Sequence, residues 1–545
     1  LILSFLLLAG LVQFEASSQT SGVGQIDDTA QRFLQRQYII GNLSGAGLTA
    51  LPMSGFATDA AFDTLRSAEL SARDKHQLEV LQGLSTLSTS AALNRRFAYL
   101  YANGRDFVNY NGDGYSIAVN PLAYLRIGAL SGLPEEDPRG DIYWRNTRGI
   151  DVAGKIGKYV FFETRLEENQ RLDPRLKPEE DNKTATRLGK ATVNSKGVLD
   201  YMVATGVVGF SSRFFEVQFG RDRARLGYGQ GSIVLSNFGP VFDQLQIRTT
   251  LGRIQYVNIF ASLATKRRFN RDSIVPKKYA AIHRLEVQAT DRLQFSIFET
   301  VVFASDSLDG RKGFDIAYMN PLIFYRAVEA DRGSPDNVLL GGGASYRPVD
   351  GVMIHAELLL DELRVSRIGD KWWANKWAGQ IGVKTALLDG LLAGIEYTRI
   401  RPYMYSHNEP LNAYVHYQDF LGHPAGPNAV DWTLFVDYRV RPRIGVQVAA
   451  AYTIRGADDG ELNYGSNPLL PNSTRTGDEN ISLLQGIREV ELNVDAAVSY
   501  ELLPELFLEA GFWTRRVDNA QSGAENLIAP LVGFRWGLPM ETARW

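Results

Sequence analysis

Residues 432–454 read WTLFVDYRVRPRIGVQVAAAYTI, and their alternation decides the fold. In the first arm Trp432, Leu434, Val436, Tyr438 and Val440 alternate with Thr433, Phe435, Asp437 and Arg439. After Arg441, Pro442 and Arg443, the second arm sets Ile444, Val446, Val448, Ala450, Tyr452 and Ile454 against Gly445, Gln447, Ala449, Ala451 and Thr453. Residues 490–500, VELNVDAAVSY, repeat the pattern with Glu491, Asn493, Asp495 and Ser499 on the polar side. Successive side chains of a strand point to opposite faces. Segments of about ten residues, apolar on one face and small or charged on the other, make the wall of a lipid-facing barrel around a polar interior. A soluble sandwich also alternates, but does not normally sustain the pattern over so many segments.

Connection lengths carry the reading outward from these arms. Short turns fall at 155–158, 211–213, 251–252, 290–292, 348–351, 388–390, 441–443 and 501–505. Long connections fall near 129–143, 170–198, 222–242, 266–278, 304–336, 362–375, 401–429, 455–486 and 517–525. Short and long alternate without exception, which gives about 18 strands between Ser116 and Trp536 with both chain ends on the short-turn side. Short periplasmic turns and long extracellular loops are the outer-membrane arrangement. The expected fold is therefore an all-β transmembrane barrel of about 18 antiparallel strands, with an N-terminal periplasmic α-helical segment.

That segment precedes the alternation. Residues 27–102 carry helical patterns, with Asp27 and Asp28 as caps and Gly41 near the first stop. None is long enough to be stable alone. Before them, Leu1–Val12 is an apolar run too short to span a bilayer, followed by small residues at Ala16, Ser17 and Ser18. It reads as a secretory leader cut near Ser18 or Gln19. The expected division is a signal peptide at 1–18, a helical segment or plug at 19–114, the barrel at 115–537 and a periplasmic tail at 538–545. Composition agrees: 51 glycines and 11% aromatics favour strands and tight turns. Near-balanced charge, with 58 basic and 61 acidic residues, argues against nucleic acid as a partner. The absence of cysteine removes disulfides, thiolate metal sites and a cysteine nucleophile.

A wall of 18 strands encloses an aqueous lumen unless something fills it. Inward positions are expected at His355, Glu357, Asp361, Gln380, Lys384, Glu396, Asp437, Arg439, Glu491, Asp495 and Glu509. Their mixed signs suit a pore lining or a polar network holding a plug, and not a one-sign selectivity ring.

Three segments are candidates for ligand contact. FGRDRARLGYGQGSIVLSN (219–237) alternates Arg221, Arg223 and Arg225, then Gly227, Gly229 and Gly231. It lacks the Gly-Lys-Ser/Thr of a phosphate loop, and its glycines point to close backbone packing, as in a loop folded inward. The arginines suit either an anionic polymer or lipopolysaccharide, or the lumen carboxylates. DKWWANKW (370–377) sets Trp372, Trp373 and Trp377 where a loop re-enters a strand, as a sugar platform or as membrane-interface anchors. RPYMYSHNEPLNAYVHYQDFLGHPAG (401–426) gathers three of the six histidines, His407, His416 and His423, with Tyr403, Tyr405, Tyr414, Tyr417 and Asp419. The histidine spacing of nine and seven matches no compact metal-ligand pattern, so no metal is expected. Hydroxyl-rich ligands and loop-internal hydrogen bonding both fit. No Gly-x-Ser-x-Gly elbow occurs, His355 has no serine on its face, and neither catalysis nor a cofactor is expected.

Together NTRGIDVAGKIG (146–157), the 219–237 segment, YMNPLIFYR (318–326), WWANKWAGQIG (372–382) and the 401–426 segment resemble the Wzi family of capsule-assembly barrels. The likeness is greatest to its Bacteroidetes branch with the RemB-type gliding-motility proteins, and spans about 145–430. The resemblance implies an 18-stranded barrel closed at the periplasmic side by helices. It also implies a non-enzymatic, lectin-like hold on capsular or other surface polysaccharide. Outer-membrane lipid, lipopolysaccharide and surface polysaccharide are the expected partners. Two alternatives stand beside this reading: a subunit of a motility or secretion machinery, with other outer-membrane proteins as partners, and a diffusion channel.

Overall fold

The computed structural model describes residues 28–45, 47–82, 100–101, 104–134, 137, 140–176, 184–265, 277–304, 314–320, 325, 336–460 and 462–540. The expected leader, 1–18, lies outside them, as do the last five residues of the expected tail. Eighteen antiparallel strands run through the wall of one closed barrel. They are β1 (Tyr115–Ala129), β2 (Ile142–Ile156), β3 (Val160–Leu172), β4 (Leu199–Ser211), β5 (Phe215–Asp222) and β6 (Phe242–Leu251). Next come β7 (Ile254–Leu263), β8 (Lys278–Thr290), β9 (Leu293–Ala304), β10 (Asn337–Val349), β11 (Val352–Glu362) and β12 (Lys376–Thr385). The wall ends with β13 (Leu391–Ile400), β14 (Ala429–Arg441), β15 (Ile444–Ala457), β16 (Ile487–Leu503), β17 (Leu506–Asn519) and β18 (Gly523–Trp536). All eight short turns and eight of the nine long connections fall where the sequence places them; the ninth, expected to be long at 517–525, is a tight turn, because β17 and β18 stay paired out to Asn519 and Gly523.

Register explains why the opening stretch decides the fold. In the β14–β15 pair Trp432 faces Tyr452, Leu434 faces Ala450 and Val436 faces Val448, so the two apolar rows meet on one side. That side looks outward, where Trp432 and Leu434 are exposed, and the lipid then covers it. Aromatic rings ring the short-turn rim at Tyr115, Tyr159, Phe214, Tyr346 and Tyr500. Trp432 and Tyr452, both outward, mark the opposite rim. Such girdles are expected where amphipathic rings meet headgroups. The barrel closes where β18 pairs with β1, from Leu531 opposite Gly128 to Trp536 opposite Ala123. Below that seam a short strand, Val108–Gly112, pairs with Tyr115–Val119 and continues the wall.

The lumen is filled from both ends. At the short-turn end sit α1 (Asp28–Ile40), α2 (Gly55–Arg66) and α3 (Ala72–Leu81). Ser54 and Ser71 cap α2 and α3 by accepting the N–H of Ala57 and Asp74, and Gly41 ends α1 at φ +98°. Phe33, Leu34, Tyr38 and Ile39 of α1 pack on Phe62, Leu65, Leu78 and Leu81, and on Met353, Leu392 and Phe435 of the wall. Helices of this length are marginal alone, so this shared core is what stabilises them. Polar ties fix them to the wall: Arg32 pairs with Asp437 at 3.0 Å and Lys155 with Asp59 at 3.2 Å. Arg36 pairs with Asp74, and its Nε donates to the carbonyl of Leu391 at 3.2 Å.

From the long-loop end, connections 222–242 and 401–429 fold inward. Their Leu226, Ile233, Val234, Leu235, Met404 and Leu421 form an apolar core with inward wall residues Ile259, Ile282, Leu359 and Ile400. In β7–β10 the outward row is covered by protein as well: Phe260, Tyr279, Val301, Phe303 and Val338 pack with Tyr318 and Tyr325 of the connection between β9 and β10. Between the two fillings the chain itself makes a link: Ala50–Leu51 pairs antiparallel with Arg225–Leu226 in mid-lumen.

Candidate functional site

The inward side of β11, β12 and β13 forms a polar cage. Glu357, Gln380, Lys384 and Glu396 are each at most 4% exposed. Glu357 accepts the backbone N–H of Tyr228 at 3.0 Å. Both oxygens of Glu396 accept the N–H of Gln230 at 2.8 Å. The Gln380 amide donates to the carbonyl of Gly231 at 2.8 Å, and the Lys384 ammonium to that of Tyr228 at 2.6 Å. This contact explains the alternating glycines. A Cβ on Gly227 would lie 2.5 Å from Ser232 Oγ and 3.0 Å from Glu357. One on Gly231 would lie 2.8 Å from His423 Nε2, and one on Gly229 would run into Gln380. The inward carboxylates thus hold a backbone where no side chain fits.

The link to the short-turn end uses the same chemistry. Thr49 donates to Glu286, and its carbonyl accepts the N–H of Gly227 at 3.0 Å. Arg248 pairs with Glu216 at 3.2 Å and donates to the carbonyl of Pro52 at 2.6 Å.

Loop 401–429 packs over this assembly. The hydroxyl of Tyr405 donates to the carbonyl of Ile233 at 3.1 Å, and that of Tyr414 to the carbonyl of Val234 at 2.7 Å. The N–H of Tyr405 donates to Asp361 at 2.9 Å, and Asp361 pairs with Lys376 at 2.7 Å. His416 Nδ1 accepts the N–H of Ala264 at 2.9 Å, which leaves Nε2–H to donate to the carbonyl of Val241 at 3.2 Å. Burial pushes this imidazole down to about 4, with Lys278 adding to the shift. It is neutral and committed.

Of the two readings of 401–426, these contacts match hydrogen bonding that holds the loop, made here largely to neighbouring segments, and not an open surface for a hydroxyl-rich ligand. Tyr403, Tyr405, Tyr414, His416 and His423 are each at most 4% exposed, because their polar atoms hold the loop in the lumen. His407 is half-buried and its Nδ1 accepts the N–H of Glu409 at 3.1 Å; Tyr417 is half-buried too. The arginines separate in the same way. Arg225 is buried opposite Leu51, Arg223 donates to the carbonyl of Gly239 at 3.1 Å, and Arg221 pairs with Asp243 at 2.7 Å on the outer wall. Trp372 and Trp373 stay near the surface beneath Arg367 and Arg475, at 5.3 Å and 4.1 Å. Trp377 stands on the outward row of β12 beside Arg399, away from the lumen and its loops. The lumen candidates all face inward: Asp437 holds Arg32, Arg439 lies 3.7 Å from Glu501, and His355 lies 3.7 Å from Glu396. The expectation that His355 has no serine on its face is corrected: Ser345 stands opposite it across the β10–β11 pair, where its hydroxyl donates to Gln294 at 3.0 Å. Asp495 pairs with Arg175, Glu491 with Arg515, and Glu509 with Arg126 and Arg535.

At the long-loop end, between the inward loops and β3, β15, β16 and β17, a cavity of about 300 Å3 remains. Of the candidates, Asp419 and Glu491 line it. Its other walls include Arg171, Asp173, Arg175, Phe238, Phe420, Glu489, Asn493 and Arg515, which the sequence reading missed. The available signal was RLDPR at 171–175, where charges alternate across a strand end, and the polar face of VELNV. Arg175 donates to Asp173 from Nε at 3.0 Å and to Asp495 at 2.8 Å, while Arg171 pairs with Asp173 at 2.7 Å. Burial opposes ionisation of Asp173, but Arg175 and Arg171 overcome it and hold the carboxyl well below its ordinary range. The guanidinium of Arg175 also lies 4.3 Å over the ring of Trp513. The cleft wall is thus a fixed array of donors, acceptors and ring faces.

A family model described as capsule assembly protein Wzi matches residues 200–522, more than half of the chain. The chain belongs to the Wzi family. The match runs from β4 to the β17–β18 connection of this Wzi-family barrel, so it takes in both inward loops and most of the cleft. A solved outer-membrane protein of Escherichia coli, described as Wzi, involved in group 1 capsule assembly and a carbohydrate-binding β-barrel, has a similar fold. That similarity covers 95% of this chain and 99% of the other at 11% identity, with a TM-score of 0.56. OprD of Pseudomonas aeruginosa is a more distant likeness, at 11% identity over 79% of this chain and 95% of its own with a TM-score of 0.40. No curated protein matches the chain.

Proposed function

We propose that this Wzi-family barrel holds surface polysaccharide at the outer face of the outer membrane, without catalysis. The long loops then face outward, and the N-terminal helices and both chain ends face the periplasm. The observation that carries the reading is the cleft at the long-loop end. Its guanidinium, carboxylate and amide groups are locked in place beside Phe238 and Phe420, and such preorganised polar and aromatic walls suit hydroxyl-rich rings. The solved relative described as carbohydrate-binding supports it as a parallel within the family. The filled lumen weighs against a diffusion channel. Cells lacking the protein are expected to shed surface polysaccharide into the medium; retention equal to that of the parent strain would overturn the proposal.

A further inference from the structure

The arginines of the cleft look at first like a site for an acidic polymer. Their partners say otherwise. Arg171 and Arg175 are committed to Asp173 and Asp495. Arg515 pairs with Glu491 at 3.0 Å and Glu525 at 3.3 Å. Arg455 donates to the carbonyl of Ala425 at 2.9 Å and lies 3.7 Å from Glu489. Arg187 lies 5.2 Å over the ring of Phe238, while its backbone N–H donates to Asp419 at 2.9 Å. Five arginines line the cavity with four carboxylates, and Asp495 and Glu525 stand directly behind them, so the wall carries no excess positive charge.

Recognition of a carboxylate, sulfate or phosphate relies on guanidinium forks aimed at the ligand. Here the forks of Arg171, Arg175 and Arg515 are aimed at the protein's own carboxylates, that of Arg455 at a carbonyl and Glu489, and that of Arg187 lies against the ring of Phe238. An anion entering would meet Asp419, Glu489 and Glu491 in the same wall, and like charges at close range are costly. A sugar hydroxyl is a donor and an acceptor at once. It can give its hydrogen to a carboxylate and take one from a guanidinium, and the rings of Phe238 and Phe420 offer apolar faces to its C–H side. The cavity of about 300 Å3 sits at the lower edge of the range for small organic ligands, so it takes a short stretch of a chain.

We propose that the cleft between the inward loops and β15–β17 binds an uncharged sugar unit of a polysaccharide, and discriminates against acidic ones. The inference rests on the polysaccharide-holding reading and specifies its ligand. The test uses the full-length protein in lipid nanodiscs. The probe is polysaccharide extracted from the native cell surface and split by anion exchange into uncharged and acidic fractions. The uncharged fraction should bind, with an affinity that changes little between low and high salt. Asn493→Trp, which fills the cleft, and Gln418→Trp at its lining should each weaken binding by about tenfold or more, while an unchanged denaturation midpoint shows the barrel intact. Preferential binding of the acidic fraction, weakening with salt, would overturn the charge class and leave the holding function standing. Binding indifferent to both tryptophans would overturn the location. Failure of both fractions to bind would remove the underlying reading as well.

Discussion

The backbone N–H of Gln230 lies 2.8 Å from both carboxylate oxygens of Glu396, deep inside the barrel. A charged wall residue is thus spent on a loop backbone and not on solvent or a passing ion. Replacing Glu396 with alanine leaves that N–H unpartnered and removes the nearest carboxylate from Lys384, 3.8 Å away. An unsatisfied buried group costs about 1–3 kcal/mol. Hydrogen exchange at 227–231 should therefore rise in Glu396→Ala while the outer strands stay protected; unchanged exchange would contradict the assignment.

The glycines of the same loop make a sharper test. Gly229→Ala pushes a methyl group onto the amide end of Gln380, which can yield only by giving up its bonds to the Gly231 carbonyl and the Thr398 hydroxyl, and leaving such buried groups unpaired costs about 1–3 kcal/mol. Gly477, with open space around its Cβ position, is the control. Gly477→Ala should stay within about 0.5 kcal/mol of the parent. Denaturant unfolding in vesicles reads both.

A filled lumen predicts electrical silence. Purified protein in a planar bilayer should give no steady porin-size conductance, although eighteen strands could enclose an aqueous channel. Reproducible open-channel steps from the intact chain would mean that the helices and inward loops do not seal it.

The wall should respond to charge by face. Ile395 lies mid-strand on the lipid side and is 47% exposed before lipid covers it. Ile395→Arg should destabilise the inserted barrel by about 2–4 kcal/mol, the range for a basic residue at the bilayer midplane. Equal stability of the variant in vesicles would show that this row does not face lipid.

Acid should loosen loop 401–429 through His416. Its imidazole sits at about 4 in the folded loop, against about 6.5 when unfolded. Between those values the unfolded loop takes up a proton that the folded loop refuses. The stabilisation is complete above about pH 6.5 and falls by about 1.4 kcal/mol per pH unit toward pH 4. Protease nicking within 401–429 should increase over that window. His416→Asn keeps an acceptor for the Ala264 N–H without titrating in this range, and should flatten the dependence.

The barrel was legible in the chain because a wall with lipid outside and polar groups inside must alternate with period two. The rows of 432–440 and 444–454 therefore reported their own faces, and the alternation of short and long connections counted the strands. The inward positions of Glu357, Lys384 and Glu396 followed from the same period. Their purpose did not, since a carboxylate facing a pore and one gripping a backbone have the same spacing in sequence. The fate of the long loops was equally hidden. Tyr405, Tyr414 and His416 read equally as ligand contacts or as loop-holding groups, and only the carbonyls of Ile233, Val234 and Val241, brought against them from a loop some 180 residues earlier, decide between the two. The cleft depends on such meetings throughout, as Asp173 and Asp495 come together only by gripping Arg175 across the lumen. Local periodicity determined the wall of this protein; long-range pairing of polar groups in its interior decided what the wall encloses and where a ligand can enter.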